Sequence, residues 1–428
     1  MSVNKVAVIG TGYVGLTTGA YLASLGHTVV CADVVPEKVA QLSKGKVPIL
    51  EAGLDELVRE GLDSGRLSFV LGGETAVKGA EFVFLCVPTP QGDDGSADLS
   101  YVRQAAEDVA PHLEAEAVVI NKSTVPVGST RIVEQALQRD DVFVVSNPEF
   151  LREGSAVHDC LHPDRIVIGS DDQAAAMRVA GLFENLKAPL VITDPASAET
   201  IKYASNAFLA TKVSFVNALA NVCEAVGADV REVVLGMGYD KRIGFEFLKP
   251  GPGWGGSCFP KDTKAMVRIA EDHGYDFGLL RGVIDVNDEQ YERMVAKVVR
   301  ACGGDVGGKV IAAWGLTFKA RTDDLRDSPA LEVIRRLQER GATVRAYDPG
   351  ADRDAPRLAG IEVGDDPYGI CEGADVLAVL TEWDEFRWLD FAKVAGLMKA
   401  AVIVDTRNLL EPAAIRRRGF TYEGVGRA

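Results

Sequence analysis

Short β-rich apolar runs alternate with amphipathic stretches along the first part of the chain. The runs fall at Lys5–Ile9, Thr28–Asp33, Glu81–Val87, Ala117–Lys122 and Val142–Ser146. A βαβα order of this kind predicts a doubly wound parallel sheet. The same alternation resumes at Lys309–Trp314, Thr343–Tyr347, Asp375–Leu380 and Ala401–Asp405, with a helix over Ser328–Arg340. Between the two regions the pattern changes. From Ala196 to Val226 the chain is Ala-rich and has neither Gly nor Pro. A helix of that length spans roughly 45 Å and bridges domains or builds a dimer interface. The expected fold is therefore α/β, with two Rossmann-like, doubly wound parallel-sheet domains. A long central helix and a helical dimerisation region join them, and the boundaries expected are 1–195, 196–300 and 301–428.

Length and charge narrow the function. The 428 residues are enough for two or three domains. Against 62 acidic residues stand 46 basic ones, a net charge of −16, which argues against a nucleic-acid or anionic-membrane partner. No signal peptide and no spanning segment is read. The seven cysteines are scattered and form no C-x-x-C pair. That fits reduced thiols in the cytoplasm better than a disulfide framework or a zinc site, and no metal is expected.

Gly10-Thr11-Gly12-Tyr13-Val14-Gly15 follows a strand and precedes a helical run. Such glycines permit a tight turn, close approach to a pyrophosphate and close helix–strand packing, with the helix N-terminus offering N–H groups. Asp33 ends the second strand eighteen residues after Gly15, where an acid binds a ribose. It favours NAD and would repel a 2′-phosphate. Lys38 either assists at that ribose or is a surface charge. Three further strand ends, at Cys86–Pro90, Ser123–Pro126 and Asn147–Glu153, are expected to face one crevice, since ligands bind outside the carboxyl ends of such strands.

Lys202 and Asn206 share one face of the long helix. They either hold a substrate oxygen or form a solvated patch. The segment Phe247–Asp262 has four glycines in the six residues Gly251–Gly256, followed by Cys258 just before Pro260. Pro favours a first helical turn, and a thiol at a helix N-terminus with Lys261 nearby gains thiolate character. A nicotinamide dehydrogenase needs no nucleophilic Cys to oxidise an alcohol, but uses one to carry an aldehyde on to an acid.

These motifs, above all Gly255–Asp262, resemble the UDP-glucose/GDP-mannose dehydrogenase family over nearly the whole chain. The resemblance implies NAD as cofactor and a nucleotide sugar, UDP-glucose, as substrate. GDP-mannose or a UDP-N-acetylhexosamine is the alternative. It implies Cys258 as the nucleophile, Lys202 and Asn206 as oxyanion donors, and Asp262 as partner of Lys202 and of a water. Glu153 is implied as the hydrolytic base and Thr124 as a water-positioning residue. For NAD it implies Gly10, Gly12, Tyr13, Val14, Gly15, Asp33, Lys38, Thr89, Thr124, Glu153, Lys261 and Arg326. For the sugar nucleotide it implies Glu149, Phe150, Leu151, Arg152, Lys202, Asn206, Phe247, Leu248, Lys249, Gly255, Phe318, Lys319 and Arg407. Arg242 is implied to reach the substrate across a homodimer interface. Which group takes the first proton stays open, because an active-site Lys serves as acid or base according to its burial.

Overall fold

The alternating runs become two sheets of the same strand order. A computed structural model describes residues 3–90, 92 and 97–427. The chain divides into two compact units, Met1–Ser205 with Lys264–His273, and Asn206–Thr263 with Gly274–Ala428.

In the first unit, β1 (Lys5–Ile9), β2 (Thr28–Asp33), β3 (Leu67–Leu71), β4 (Phe82–Leu85), β5 (Val118–Asn121), β6 (Phe143–Ser146), β7 (Ile166–Gly169) and β8 (Leu190–Thr193) lie in the order β3-β2-β1-β4-β5-β6-β7-β8. The first six are parallel. The order reverses between β1 and β4, which opens the crevice where such sheets bind ligands. The wholly parallel sheet expected here is corrected at one edge: β7 runs antiparallel to β6, and β8 is parallel to β7. Strands β1, β4 and β5 are apolar on both faces because each face carries its own cluster. Val8, Phe84 and Ile120 pack on one, and Ala7, Val83 and Val119 on the other.

In the second unit, β9 (Val310–Trp314), β10 (Thr343–Tyr347), β11 (Glu362–Val363), β12 (Val376–Val379), β13 (Val402–Asp405) and β14 (Thr421–Glu423) form a parallel sheet in the order β11-β10-β9-β12-β13-β14. This repeats β3-β2-β1-β4-β5-β6 strand for strand. The repetition extends to a side chain. Asp33 at the end of β2 accepts the Thr11 N–H at 3.1 Å and the Thr11 hydroxyl. Asp348, just after β10, accepts the Leu316 and Thr317 N–H groups at 2.7 and 2.9 Å and the Thr317 hydroxyl at 2.9 Å. The long helix spans Pro195–Val226, and a second runs over Gly278–Ala301.

Candidate active site

The glycine turn of the first unit is built by close approach. The Gly10 N–H donates to the Ala32 carbonyl at 2.8 Å, and Gly10 has a φ of +96°. A Cβ on Gly15 would stand 1.9 Å from the Gly10 oxygen, and one on Gly10 would stand 2.6 Å from the Cys86 oxygen. A Cβ on Gly12 would meet nothing within 4 Å. Gly12 is the N-cap of the helix Tyr13–Ser24, and no side chain caps that helix. Two glycines thus close the turn, and the third keeps space open before unsatisfied N–H groups, the setting a pyrophosphate needs. Asp33 also accepts from Lys38 at 2.9 Å. Burial pulls the Asp33 carboxyl up, but the Thr11 and Lys38 hydrogen bonds outweigh it and hold it below the usual range. An ionised acid at the end of β2 and an open cradle at the end of β1 fit a dinucleotide.

The three strand-end segments are laced together. The Thr89 hydroxyl donates to the Thr124 carbonyl at 2.9 Å, and Ser123 donates to Val87 at 2.7 Å. The buried Lys122 ammonium donates to Asn147 Oδ1 at 3.0 Å, and Asn147 Nδ2 to the Val167 carbonyl at 2.7 Å. Two residues later the Glu149 carboxylate accepts from Lys202 Nζ at 2.6 Å, with side chains 5% and 4% exposed. Glu149 also takes the Leu151 N–H at 2.6 Å. Phe150 lies under the Arg165 guanidinium at 3.6 Å, and Lys202 approaches the same ring at 5.6 Å. Arg152 is exposed and bonded to Asp159. Glu153 lies beside Tyr13, whose phenol feels its charge.

The second unit gathers a different set. Cys258 directly precedes the helix Phe259–Asp272, and its carbonyl accepts the Asp262 N–H at 2.8 Å. The sulfur therefore sits at the end where the helix dipole favours negative charge. Asp262 is fully buried and accepts from Asn206 Nδ2 at 2.6 Å and Lys261 Nζ at 2.7 Å. Lys261, implied as a cofactor contact, is here an ion-pair partner of Asp262.

The loop before Cys258 is held from within. The Trp254 N–H donates to Asn287 Oδ1 at 2.8 Å and its indole to Ser214 at 2.9 Å, while the Gly251 N–H donates to Asn217 at 2.8 Å. A Cβ on Gly255 would stand 1.9 Å from the Asp327 oxygen, and one on Gly256 would stand 2.8 Å from the Phe318 ring. Phe247 has a φ of +62°, a strained state for a residue with a side chain, and its ring lies tilted against Phe259 with centroids 6.2 Å apart. Leu248 is buried and Lys249 exposed.

Arg407, after β13, donates to the Leu380 carbonyl at 2.9 Å and the Phe318 carbonyl at 3.0 Å, and a Cβ on Gly251 would stand 3.5 Å from its Nη1. Lys319 Nζ is 5.3 Å from the Phe318 ring. The Cys258 loop, Phe318, Lys319 and Arg407 thus converge. Arg326 is exposed and chelated by Asp324. Arg242 is exposed and paired with Asp240 at 2.6 Å.

Sequence reasoning missed Lys122, Asn147 and Glu51. Lys122 ends the run Ala117–Lys122 and Asn147 opens the strand-end segment Asn147–Glu153. Glu51 gave no local signal, since its partners lie 38, 103 and 105 residues away.

Three family models match in order: the NAD binding domain of the UDP-glucose/GDP-mannose dehydrogenase family over residues 4–187, its central domain over 196–289, and its UDP binding domain over 312–412. The UDP-glucose 6-dehydrogenase of Rhizobium meliloti is 47% identical, with 99% of each chain covered. A UDP-glucose dehydrogenase structure from Pyrobaculum islandicum aligns at a TM-score of 0.91 and 38% identity, covering 100% of this chain and 98% of that one. A UDP-D-ManNAc dehydrogenase structure from Pyrococcus horikoshii aligns at 0.88 and 29%, covering 99% of both. With all three domains matched in order on a fold of the same strand arrangement, the chain belongs to the UDP-glucose/GDP-mannose dehydrogenase family.

Proposed function

We propose that the protein catalyses the NAD-dependent, four-electron oxidation of the C6 alcohol of UDP-glucose to the carboxylate of UDP-glucuronate. The observation that carries this reading is Cys258 at a helix N-terminus, beside the buried Asp262–Asn206–Lys261 cluster, in a chain with an NAD binding domain. Residues 1–195 bind NAD, 196–300 supply the thiol, and 301–428 bind the UDP moiety.

Each of the two oxidations would use one NAD as hydride acceptor, the first leaving as NADH before a second NAD binds. Gly10, Gly12, Gly15 and the start of the Tyr13 helix hold its pyrophosphate, and Asp33 with Lys38 holds a ribose. Val14, Thr89, Thr124, Glu153 and Arg326 are the remaining contacts assigned to it. The C6 alcohol loses its hydroxyl proton and then a hydride from C6 to give the aldehyde, and Lys202 and Asn206 donate to the sugar oxygen as negative charge develops on it. The Cys258 thiolate adds to the aldehyde carbon, and a C–S bond forms while the carbonyl oxygen takes a proton. Loss of hydride and of the hydroxyl proton from that thiohemiacetal leaves a thioester. Water then adds to the acyl carbon, the C–S bond breaks, and the thiolate returns. Two carboxylates are candidates for activating that water. Glu153 is the one the resemblance implies. Glu149 is favoured by its hydrogen bond to Lys202, since it lies against the oxyanion donor itself.

UDP-glucose is preferred to an N-acetylated sugar because the full-length relatives at 40–47% identity are UDP-glucose 6-dehydrogenases, whereas the N-acetyl-mannosamine enzymes of known structure are 25–29% identical. A homodimer is part of the proposal. Phe208, Phe215 and Val222 recur every seven residues on the long helix and are 65%, 54% and 56% exposed, an apolar stripe suited to a second copy. Arg242 then serves the substrate across that interface. No helix among the described residues is long and apolar enough to cross a membrane. We assign the protein to the cytoplasm, where thiols stay reduced.

The test is a panel of nucleotide sugars with NADH counted per sugar oxidised. About two NADH per UDP-glucose is expected. A ratio near one, or a preference for another sugar nucleotide, refutes the reading.

A further inference from the structure

One buried carboxylate of the first unit has no place in the reaction described above. Glu51 is 5% exposed and follows no strand of the sheet. Its Oε2 accepts the Tyr13 hydroxyl and the Gly154 N–H, the latter at 2.6 Å, and its Oε1 accepts the Ala156 N–H at 2.9 Å. The Gly154 N–H lies 3.2 Å from the Tyr13 oxygen as well. Three donors from two distant segments thus meet on one side chain.

Those segments are the ones that matter for the cofactor. Tyr13 is the first residue of the helix that opens the pyrophosphate cradle. Gly154 follows Glu153, and Ser155, the N-cap of the next helix, makes no side-chain cap of its own. Glu51 supplies that cap from elsewhere in the chain. The Tyr13 phenol is raised first by burial, then by the Glu51 hydrogen bond and charge, and then by the Glu153 charge, so it remains a neutral donor.

We infer that Glu51 is a positioning residue for the cofactor site, tying the Tyr13 ring at the glycine turn to the Arg152–Ala156 backbone that carries Glu153. The inference rests on the NAD reading. Glu51 acts through Tyr13, both of its oxygens being taken by protein donors. A carboxylate is required because each of its oxygens faces a donor. An amide of the same shape would turn an NH2 group toward a backbone N–H whichever way it is rotated.

The experiment measures NAD affinity by titration calorimetry in wild type, Glu51→Gln, Tyr13→Phe and the double variant, with thermal unfolding of each. Glu51→Gln should raise the NAD Kd about ten-fold, the effect of one unsatisfied buried donor, and change the UDP-glucose KM less than about two-fold. In the Tyr13→Phe background the same change should add less than about two-fold, because the link is already cut. An equal penalty in both backgrounds would show that Glu51 only folds its loop, and the inference falls. NAD binding indifferent to Glu51→Gln overturns it too. If Glu51→Gln does not fold, Tyr13→Phe carries the test, and an unchanged NAD Kd there is the refuting result. A wild-type protein that binds no NAD refutes the cofactor reading itself, and this inference with it.

Discussion

Replacing Glu149 by Gln keeps the shape of the side chain and removes the charge that holds Lys202. The two groups meet at 2.6 Å with side chains 5% and 4% exposed, so neither has water to fall back on. Removing one partner of a buried pair costs about 3–5 kcal/mol, because the other is left charged in a poor solvent. Lys122 also acts on Glu149 and loses the same counter-charge, which favours the upper end. In a unit of this size each kcal/mol moves the midpoint by about 2–4 °C, so Tm should fall by roughly 6–20 °C at pH 7.

The pH dependence has a definite sign. Burial alone raises the Glu149 carboxyl, but the Lys202 charge and hydrogen bond, the Leu151 N–H and Lys122 outweigh it and hold it below 4.5. A carboxyl depressed in the folded state binds fewer protons folded than unfolded between the two values. Its stabilisation is full above the unfolded value and is lost as pH falls through the folded one. The gap in Tm between wild type and Glu149→Gln should therefore be large at pH 7 and narrow below about pH 4. Scanning calorimetry at both pH values decides it. A fall of less than about 2 °C at pH 7, or an equal fall at both, would refute the reasoning.

Other outcomes follow from the same geometry. Gly15→Ala places a methyl 1.9 Å from the Gly10 oxygen and should disrupt the turn, lowering Tm; Gly12→Ala meets nothing, so it should leave Tm nearly unchanged and raise the NAD Kd. Equal effects of the two on unfolding would count against the cradle. Cys258→Ser should abolish turnover to the acid, and full production of the carboxylate by that variant removes the thiol from the mechanism. Of Glu149→Gln and Glu153→Gln, the one that removes the hydrolytic base should accumulate a covalent Cys258 adduct on intact mass after mixing with substrate and NAD. Phe215→Glu should shift the sedimenting mass from dimer to monomer, while an unchanged mass excludes the helix stripe as the interface.

How far the sequence reveals the fold depends on burial. β1, β2 and β10 match their apolar runs residue for residue, and β4, β5, β6, β9, β12 and β13 fall within one or two residues of theirs. All are flanked by strands on both sides, which makes them short continuous runs. The strands not foreseen sit toward the edges. β3 and β8 have mostly mixed or exposed patterns, while β11 and β14 are two and three residues long. β7 is buried and as short as several of the strands that matched, and its reversal against β6 rests on a single bridging pair, Ser146 with Gly169. No local pattern specifies a strand's direction. At the site, the glycine turn and Cys258 are legible because their chemistry is local, in backbone φ and helix ends. Lys202–Glu149 spans 53 residues and Asn206–Asp262 spans 56, so which carboxylate meets which donor depends on the fold.

The repeated sheet leaves two acids at equivalent strand ends, and their surroundings send them different ways. Asp33 is held by the Thr11 and Val35 N–H groups, by the Thr11 hydroxyl and by a single flexible ammonium, Lys38. Asp348 is held by the Leu316 and Thr317 N–H groups, by Gly350 at 2.8 Å and Ala351 at 3.1 Å, and by the Trp383 indole at 3.2 Å. A sugar hydroxyl there would have to replace bonds fixed in the backbone. The same device thus leans partly on side chains in one unit and mainly on the backbone in the other. Recruiting the second acid to a ligand would require several main-chain partners to move at once. The locked copy is free to specialise its strand-end loops, and it is there that Lys319 and Arg407 stand.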